Sequence, residues 1–171
     1  MTITKTKQQI IAFDLSLTNS GYAVGEVEDG ELEVIEFGSI SNKRFSRHSH
    51  AFRLNRIAEA VTALLKKYPD ADAIVKEGSF SNSFIKSTQI IFKVVGVWEL
   101  VAFLNGHEHF TDIAPNSVKK AVTGNGRAKK FQVAEAVKEI TGLETANDDE
   151  SDAIAVLLAY CADKKLIEIK Q

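Results

Sequence analysis

The first forty residues alternate between hydrophobic and polar positions with the two-residue period of β-strands. Residues 9–13 form a short apolar run that ends at Asp14, and residues 21–28 and 31–40 alternate. Asp29-Gly30, between the last two runs, is a hairpin turn signal. This pattern predicts three antiparallel strands arranged as a meander at the start of the chain.

The rest of the chain predicts helices interrupted by two short strands. Residues 73–76 predict a strand that delivers Glu77, and residues 109–114 predict another. Helical spacing of apolar residues, bounded by Pro or Gly, predicts five helices: about 52–68, 91–103, a short one after Pro115, 129–141 and 147–164. The order β-β-β-α-β-α-β-α-α-α predicts an α/β fold, with one five-stranded mixed sheet flanked by helices.

The composition predicts one soluble domain over residues 1–171. Hydrophobic residues make up 44% and charged residues 26% of the chain. The single cysteine, Cys161, excludes an intramolecular disulfide framework and a multi-cysteine zinc site, and we expect it to lie in a core helix. No apolar run approaches the length of a membrane span and none resembles a signal peptide. We therefore expect a cytoplasmic protein without membrane contact.

The net charge is −2, but the charges are segregated along the chain. Residues 41–58 contain Lys43, Arg44, Arg47, Arg53, Arg56 and two histidines, and no acid. Residues 113–134 contain Lys119, Lys120, Arg127, Lys129 and Lys130, again without an acid. Either segment alone is compatible with an ordinary solvated face. Together they indicate a surface that attracts phosphates.

Four acids occupy positions that packing alone does not explain. Asp14 and Glu77 each end a predicted strand, and Asp149 and Asp152 are three residues apart near the start of the last helix. Clustered carboxylates suit a hard divalent cation such as Mg²⁺. Each acid also has an ordinary alternative, as a turn residue, a helix cap or an exposed strand end.

Four segments in this order resemble RuvC-type Holliday junction resolvases. They are FDLSLTNSGYAV with its strand-final Asp, VKEGSF with a second acid, IAPNSVKKAVTGNGRAKKFQV with a basic helix and Gly-x-Gly turn, and DDESDAIAVLLAY with Asp-x-x-Asp. The resemblance covers about residues 9–161. It implies a ribonuclease H-like fold and a homodimer that cuts both strands of a four-way DNA junction.

The resemblance also implies which residues act. The metal ligands would be Asp14, Glu77, Asp149 and Asp152, holding two Mg²⁺ ions that Mn²⁺ can replace, and Lys130 would complete the catalytic group. Phe80 would reach into the junction. The other DNA-binding candidates are the cations near these motifs: Lys86, Lys119, Lys120, Arg127, Lys129 and Lys130.

This chain departs from the family pattern in two places. Leu15-Ser16 follows the first Asp, where the family usually has Pro-Gly. Asp148 lies four residues before Asp152 and so shares its helix face, which makes it an alternative to Asp149 as the third ligand. Asp149 is preferred because it keeps the Asp-x-x-Asp spacing.

The aromatic residues divide into two groups. Phe13, Phe37 and Phe103 fall within strand or helix patterns and are expected in the core. Phe80 and Phe84 lie in a polar Ser/Asn-rich segment, where they either stack on a base or anchor the loop or a dimer contact. The helix at 91–103 fits both a dimer face and burial against the sheet.

Three other functions remain open. DLSLTNSG also resembles the phosphate-binding loop of sugar-kinase and actin-like ATPases, which need two such domains. A YqgF-type nuclease and a non-catalytic protein that binds branched DNA are further alternatives. Metal-dependent cleavage of a synthetic four-way junction distinguishes these possibilities.

Overall fold

The computed structural model describes residues 7–78 and 85–169. The strands and helices follow the predicted order, and a short 3-10 helix at Lys43–Phe45 is added. The elements are β1 (Lys7–Asp14), β2 (Asn19–Glu28), β3 (Glu31–Ser41), α1 (His50–Lys67), β4 (Ala73–Glu77), α2 (Ile85–Leu104), β5 (Thr111–Ile113), α3 (Pro115–Thr123), α4 (Lys130–Thr141) and α5 (Asp148–Asp163).

The five strands form one sheet in the order β3-β2-β1-β4-β5. β2 runs antiparallel to β1 and β3, whereas β4 runs parallel to β1 and β5 runs parallel to β4. The ends of β1, β3, β4 and β5 therefore meet at the same edge of the sheet, together with the start of β2. We call this edge the C-terminal edge.

Helices cover both faces of the sheet. The odd positions Ile11 and Phe13 of β1 pack with α1 and α2, and the even positions Ile10 and Ala12 pack with α3, α4 and α5. The side chains from Ile10 to Phe13 are completely buried, because helices cover both faces of β1. Cys161 of α5 is buried on the face that packs with Ile10 and Ala12, as expected.

Helix α2 differs from the sequence-based expectations in two respects. By length and composition, the stretch Lys86–Leu104 is apolar enough to cross a membrane, contrary to the expectation that no run approaches that length. Lys93 and Glu99 interrupt it, so a search for an unbroken apolar run missed it. Its buried side includes Trp98, which packs edge-on against the ring of Phe13 at 5.4 Å.

The other side of α2 is exposed and apolar. Phe92, Leu100, Phe103 and Leu104 are 53%, 58%, 58% and 71% exposed. The expectation that Phe103 is core is therefore wrong, because it falls on the helix face opposite Trp98. The prediction for β5 was also too long, since Phe110 packs against Trp98 before the strand begins.

Candidate active site

Two carboxylates lie side by side at the C-terminal edge. Asp14 is the last residue of β1 and Glu77 is the last residue of β4. The strands are parallel and Phe13 pairs with Lys76, so the two acids follow at equivalent positions. Neighbouring strands are about 4.8 Å apart. Because side chains alternate along a strand, both acids lie on the face that α3, α4 and α5 cover.

The first turn of α5 brings two more acids to this edge. The side-chain oxygen of Asn147 accepts a hydrogen bond from the Glu150 amide at 3.1 Å. The Glu150 carboxylate accepts one from the Ala146 amide at 2.7 Å. These contacts fix where the helix begins. Asp149 and Asp152 consequently share one side of its first turn.

Two residues at the start of β2 hold Asp149 in position. Asn19 is buried, and its side-chain amide donates to the Asp149 carboxylate. Gly21 lies beneath α5, where an added Cβ would be 1.8 Å from the carbonyl oxygen of Asp149. The helix can approach this closely because residue 21 is glycine. Sequence reasoning assigned neither residue to the site, although a polar Asn beginning a buried strand was a usable signal.

The structure distinguishes Asp148 from Asp149. Asp148 is exposed, whereas Asp149 is partly buried. The charge of Asp149 acts on both Asp14 and Asp152, and that of Asp148 acts on Asp152. The geometry therefore favours Asp149 as the third acid of the cluster, and its role as a ligand stays a prediction.

Three of the four acids line a cleft of about 180 Å³ together with residues of α3 and α4, and Asp149 is not among the lining residues. Asp14, Glu77 and Asp152 form its acidic wall, and Lys119 and Lys130 face them. The Nζ atom of Lys130 lies 3.3 Å from Oδ2 of Asp152. Because the Lys130 side chain is 65% exposed and that of Asp152 only 19%, the ammonium group stands at the mouth of the cleft.

Burial and mutual repulsion favour the protonated form of the cleft acids. Burial, followed by the charges of Glu77, Asp152 and Asp149, raises the pKa of Asp14 to about 7. Burial and Asp152 raise the pKa of Glu77 to about 7 as well, although the two cleft lysines lower it. Burial also raises the pKa of Asp152. Carboxylates forced together in this way are stabilised when a cation binds between them.

The donor set fits a hard divalent cation, because it consists of carboxylate oxygens. Within residues 7–78 and 85–169, however, no three His, Cys, Asp or Glu side chains are arranged as a ready-made metal site. To share an ion, the carboxylates must therefore turn towards one another, and Lys130 must move away from Asp152. The lysine is exposed and its carboxylate contact is long for an ion pair, so this change is small.

The other predicted DNA-binding cations are exposed, and none of them lines the cleft. Lys120 is exposed on α3, and Arg127 and Lys129 are exposed between α3 and α4. The side-chain oxygen of Asn125 accepts from the Arg127 amide at 2.9 Å, which shapes this turn. Lys86 is exposed in the first turn of α2. These positions are compatible with phosphate contacts, and their roles stay predictions.

Phe80 and Phe84 lie outside the described residues, because they belong to the segment 79–84. The predicted stacking of Phe80 on a junction base is therefore untested by the geometry. In the sequence, the segment directly follows Glu77 and Gly78.

Comparison with known proteins agrees with this arrangement. A family model described as "Crossover junction endodeoxyribonuclease RuvC" matches residues 10–160. The chain is 35% identical to a protein of that description from Treponema denticola over 151 residues, covering 87% of this chain and 83% of that one. It is 36% identical to another from Dictyoglomus thermophilum over 153 residues, covering 88% and 94%.

Two solved structures are similar in fold. One is "T. thermophilus RuvC in complex with Holliday junction substrate", with TM-score 0.80, 22% identity and coverage of 93% of this chain and 96% of that one. The other is the yeast mitochondrial Holliday junction resolvase Ydc2, with TM-score 0.63, 12% identity and coverage of 93% and 80%. The predicted ribonuclease H-like fold is thereby confirmed.

Proposed function

Because the chain belongs to the RuvC family of crossover junction endodeoxyribonucleases, we propose that it resolves four-way DNA junctions by metal-dependent hydrolysis in the cleft between β1, β4 and α5. The observation that carries this proposal is the convergence of Asp14, Glu77 and Asp152 in one cleft with two lysines. A protein that only bound DNA would gain nothing from burying carboxylates that repel phosphates.

The four acids Asp14, Glu77, Asp149 and Asp152 would hold two Mg²⁺ ions, with Mn²⁺ as a substitute. Nucleases of this family depend on metal ions, and such ions activate water and neutralise the charge that develops on the phosphate. The water oxygen attacks phosphorus, the bond from phosphorus to the 3′ oxygen breaks, and a proton ends on that oxygen. The bound ions would also relieve the repulsion that raises the pKa values of Asp14 and Glu77.

The protein's own contribution is to position the phosphate over the carboxylates. Lys119 lies within the cleft, and Lys130 stands at its mouth. When Lys130 leaves Asp152, its ammonium can contact a non-bridging phosphate oxygen. Asn19 and Gly21 of β2 hold Asp149 and the first turn of α5, and this helix carries Asp152 of the acidic wall.

Cleavage of a labelled four-way junction tests this function. Asp14→Asn removes one carboxylate and should abolish cutting in Mg²⁺, while binding in EDTA or Ca²⁺ persists. The matched control is Asp70→Asn, which removes an exposed acid from the turn after α1 and should cut at the wild-type rate. Wild-type cleavage by Asp14→Asn would refute the assignment, and binding without cutting by wild-type protein would favour the non-catalytic alternative.

We also propose that the protein acts as a homodimer through the exposed side of α2. Phe92, Gly96, Leu100 and Phe103 recur every three or four residues and form one stripe. No atom lies within 4 Å of a Cβ placed at Gly96, so a second helix can approach there. A two-fold pairing of these stripes would relate two clefts symmetrically, as paired cutting requires.

Leu100→Glu tests this pairing, because it places a charge in the stripe without touching the buried side of α2. We expect light scattering to show a monomer and junction cleavage to yield single nicks instead of paired cuts. Leu100→Met is the control, because it keeps an apolar side chain of similar size at the same position of the stripe. A dimeric Leu100→Glu protein that still makes paired cuts would place the interface elsewhere.

A further inference from the structure

The acid-free segment from Asn42 to Arg56 lies at the C-terminal edge, although the proposed active site does not use it. β3 ends at Ser41, which pairs with Asn19 of β2, and Asn19 in turn bonds Asp149. Two strand spacings separate β3 from β1, which corresponds to about 10 Å. The segment therefore begins beside the acidic cleft, on the side away from β5 and α3.

Asn42 fastens this segment to the loop that follows Asp14. It is buried, and its backbone amide donates to the Thr18 carbonyl at 2.8 Å. Its side-chain amide donates to the carbonyls of Leu17 and Arg53, each at 3.0 Å. Because Leu17 and Thr18 follow Asp14 closely in the chain, these bonds fix the position of the segment relative to the cleft.

Contacts of Arg56 and a cluster of aromatic rings pack the segment together. The Nε–H of Arg56 donates to the side-chain oxygen of Asn42 at 3.0 Å, and its guanidinium lies 4.0 Å from the ring centroid of Phe45. His48 stacks on Phe52 with centroids 4.4 Å apart, and both rings contact Phe45. This packing holds the short 3-10 helix against the start of α1.

The outer cations of the segment are exposed. Lys43, Arg44 and Arg47 are exposed, and their side chains form no hydrogen bond or ion pair with other residues of 7–78 and 85–169. The first turn of α1 carries no acid, so the positive end of that helix adds to the field. A rigid surface with unpaired cations and no neighbouring acid in sequence attracts phosphates.

We infer that Lys43, Arg44 and Arg47 form a second phosphate-binding surface, which holds the backbone of a DNA arm on the β3 side of the cleft. This inference rests on the proposed function. The cations of α3 and α4 lie on the β5 side, so the two surfaces flank the acids across a sheet edge of about 20 Å. Duplex DNA presents about twelve charges over that length, enough for both surfaces to be occupied.

Salt-dependent binding of a four-way junction in EDTA tests the inference. The triple variant Lys43→Gln, Arg44→Gln, Arg47→Gln should lower the slope of log K against log salt by about one unit for each phosphate that the variant no longer binds, and by up to about three. We expect affinity at about 100 mM salt to fall about tenfold or more. Cleavage by saturating variant in Mg²⁺ should stay within about twofold of wild type, because the acids are untouched.

The matched control removes three exposed cations from the far ends of helices. Lys66→Gln, Lys138→Gln, Lys164→Gln leaves the same net charge as the test variant, and should change the slope little. Equal slopes and affinities for the two triple variants would overturn the inference. Wild-type protein that binds junctions without cutting would refute the proposed function instead, while the comparison of slopes would still decide the inference.

Site-specific crosslinking gives a second, independent measurement. Cys161 is buried and burial raises the pKa of its thiol to about 12, so it competes poorly for a thiol reagent. Arg44→Cys labelled with a photoactivatable azidophenacyl group should crosslink to a junction arm, and Lys66→Cys labelled in the same way should not. Equal crosslinking yields at the two sites would contradict a DNA path over the segment.

Discussion

Asp14→Asn should stabilise the metal-free protein at neutral and alkaline pH while abolishing its activity. Burial and three neighbouring acids raise the pKa of Asp14 to about 7 from an ordinary value of 3.8. The folded protein therefore keeps a proton on this carboxyl that the unfolded chain releases near pH 4. Stability declines as the pH rises from about 4 to about 7, and the full cost is present above pH 7.

The difference of about three pKa units corresponds to about 4 kcal/mol at about 1.36 kcal/mol per unit. The gain in stability of the variant should be smaller than this figure. Part of the pKa shift is repulsion from Glu77 and Asp152, and these side chains rearrange when the charge of Asp14 is removed. We expect Asp14→Asn to raise the free energy of unfolding by about 1–3 kcal/mol at pH 8 in EDTA. At pH 4 the two proteins should differ little, since Asp14 is then neutral in the folded state.

Urea denaturation in EDTA between pH 4 and pH 8 measures this effect, with Asp70→Asn as the control for an exposed acid. Wild-type stability should fall across this range more steeply than that of Asp14→Asn. Added Mg²⁺ should stabilise the wild type more than the variant, because the variant lacks one ligand. The reasoning is refuted if Asp14→Asn is less stable than wild type at pH 8, or if the two pH profiles are parallel.

Four further substitutions test how the site and the strands beside it are held. Gly21→Ala should lower the free energy of unfolding in urea by about 2–4 kcal/mol and slow cleavage, because its Cβ would overlap the Asp149 carbonyl. Wild-type stability and cleavage in this variant would mean that α5 moves freely. Asn19→Ala should lower single-turnover cleavage by about 10–100-fold and raise the Mg²⁺ concentration required, whereas an unchanged Mg²⁺ requirement would remove Asn19 from the site. Asp112→Ala should lower the free energy of unfolding by about 1–3 kcal/mol, because it leaves the buried Lys76 ammonium without its carboxylate partner. Lys76→Met should cost less, and a larger cost for Lys76→Met would show that the ion pair itself stabilises the fold.

The sequence by itself determined the order of the elements and pointed to Asp14, Glu77 and Asp152 as candidate acids, while it left Asp148 and Asp149 as alternatives. Periodicity is local: the alternation before Asp29 and the helical spacing after Phe52 depend on neighbours within a few residues. The order of strands and helices could therefore be read from the chain, and so could the placement of Asp14 at the end of β1, whereas the bounds of α2 and β5 could not. The family resemblance added the expected roles, because its motifs extend over the whole fold.

Only the tertiary structure decided which residues support those acids. Asn19 and Gly21 matter because β2 passes beneath α5, a contact between residues about 130 positions apart in sequence. The tertiary structure also favours Asp149 over Asp148, because Asp149 accepts a hydrogen bond from Asn19 of β2 whereas Asp148 is exposed, and the ligand role of Asp149 stays a prediction. Helical spacing alone predicts Phe103 in the core, because it defines a stripe but not the side on which the sheet lies. Long-range packing sets these features, and a local pattern carries no information about it.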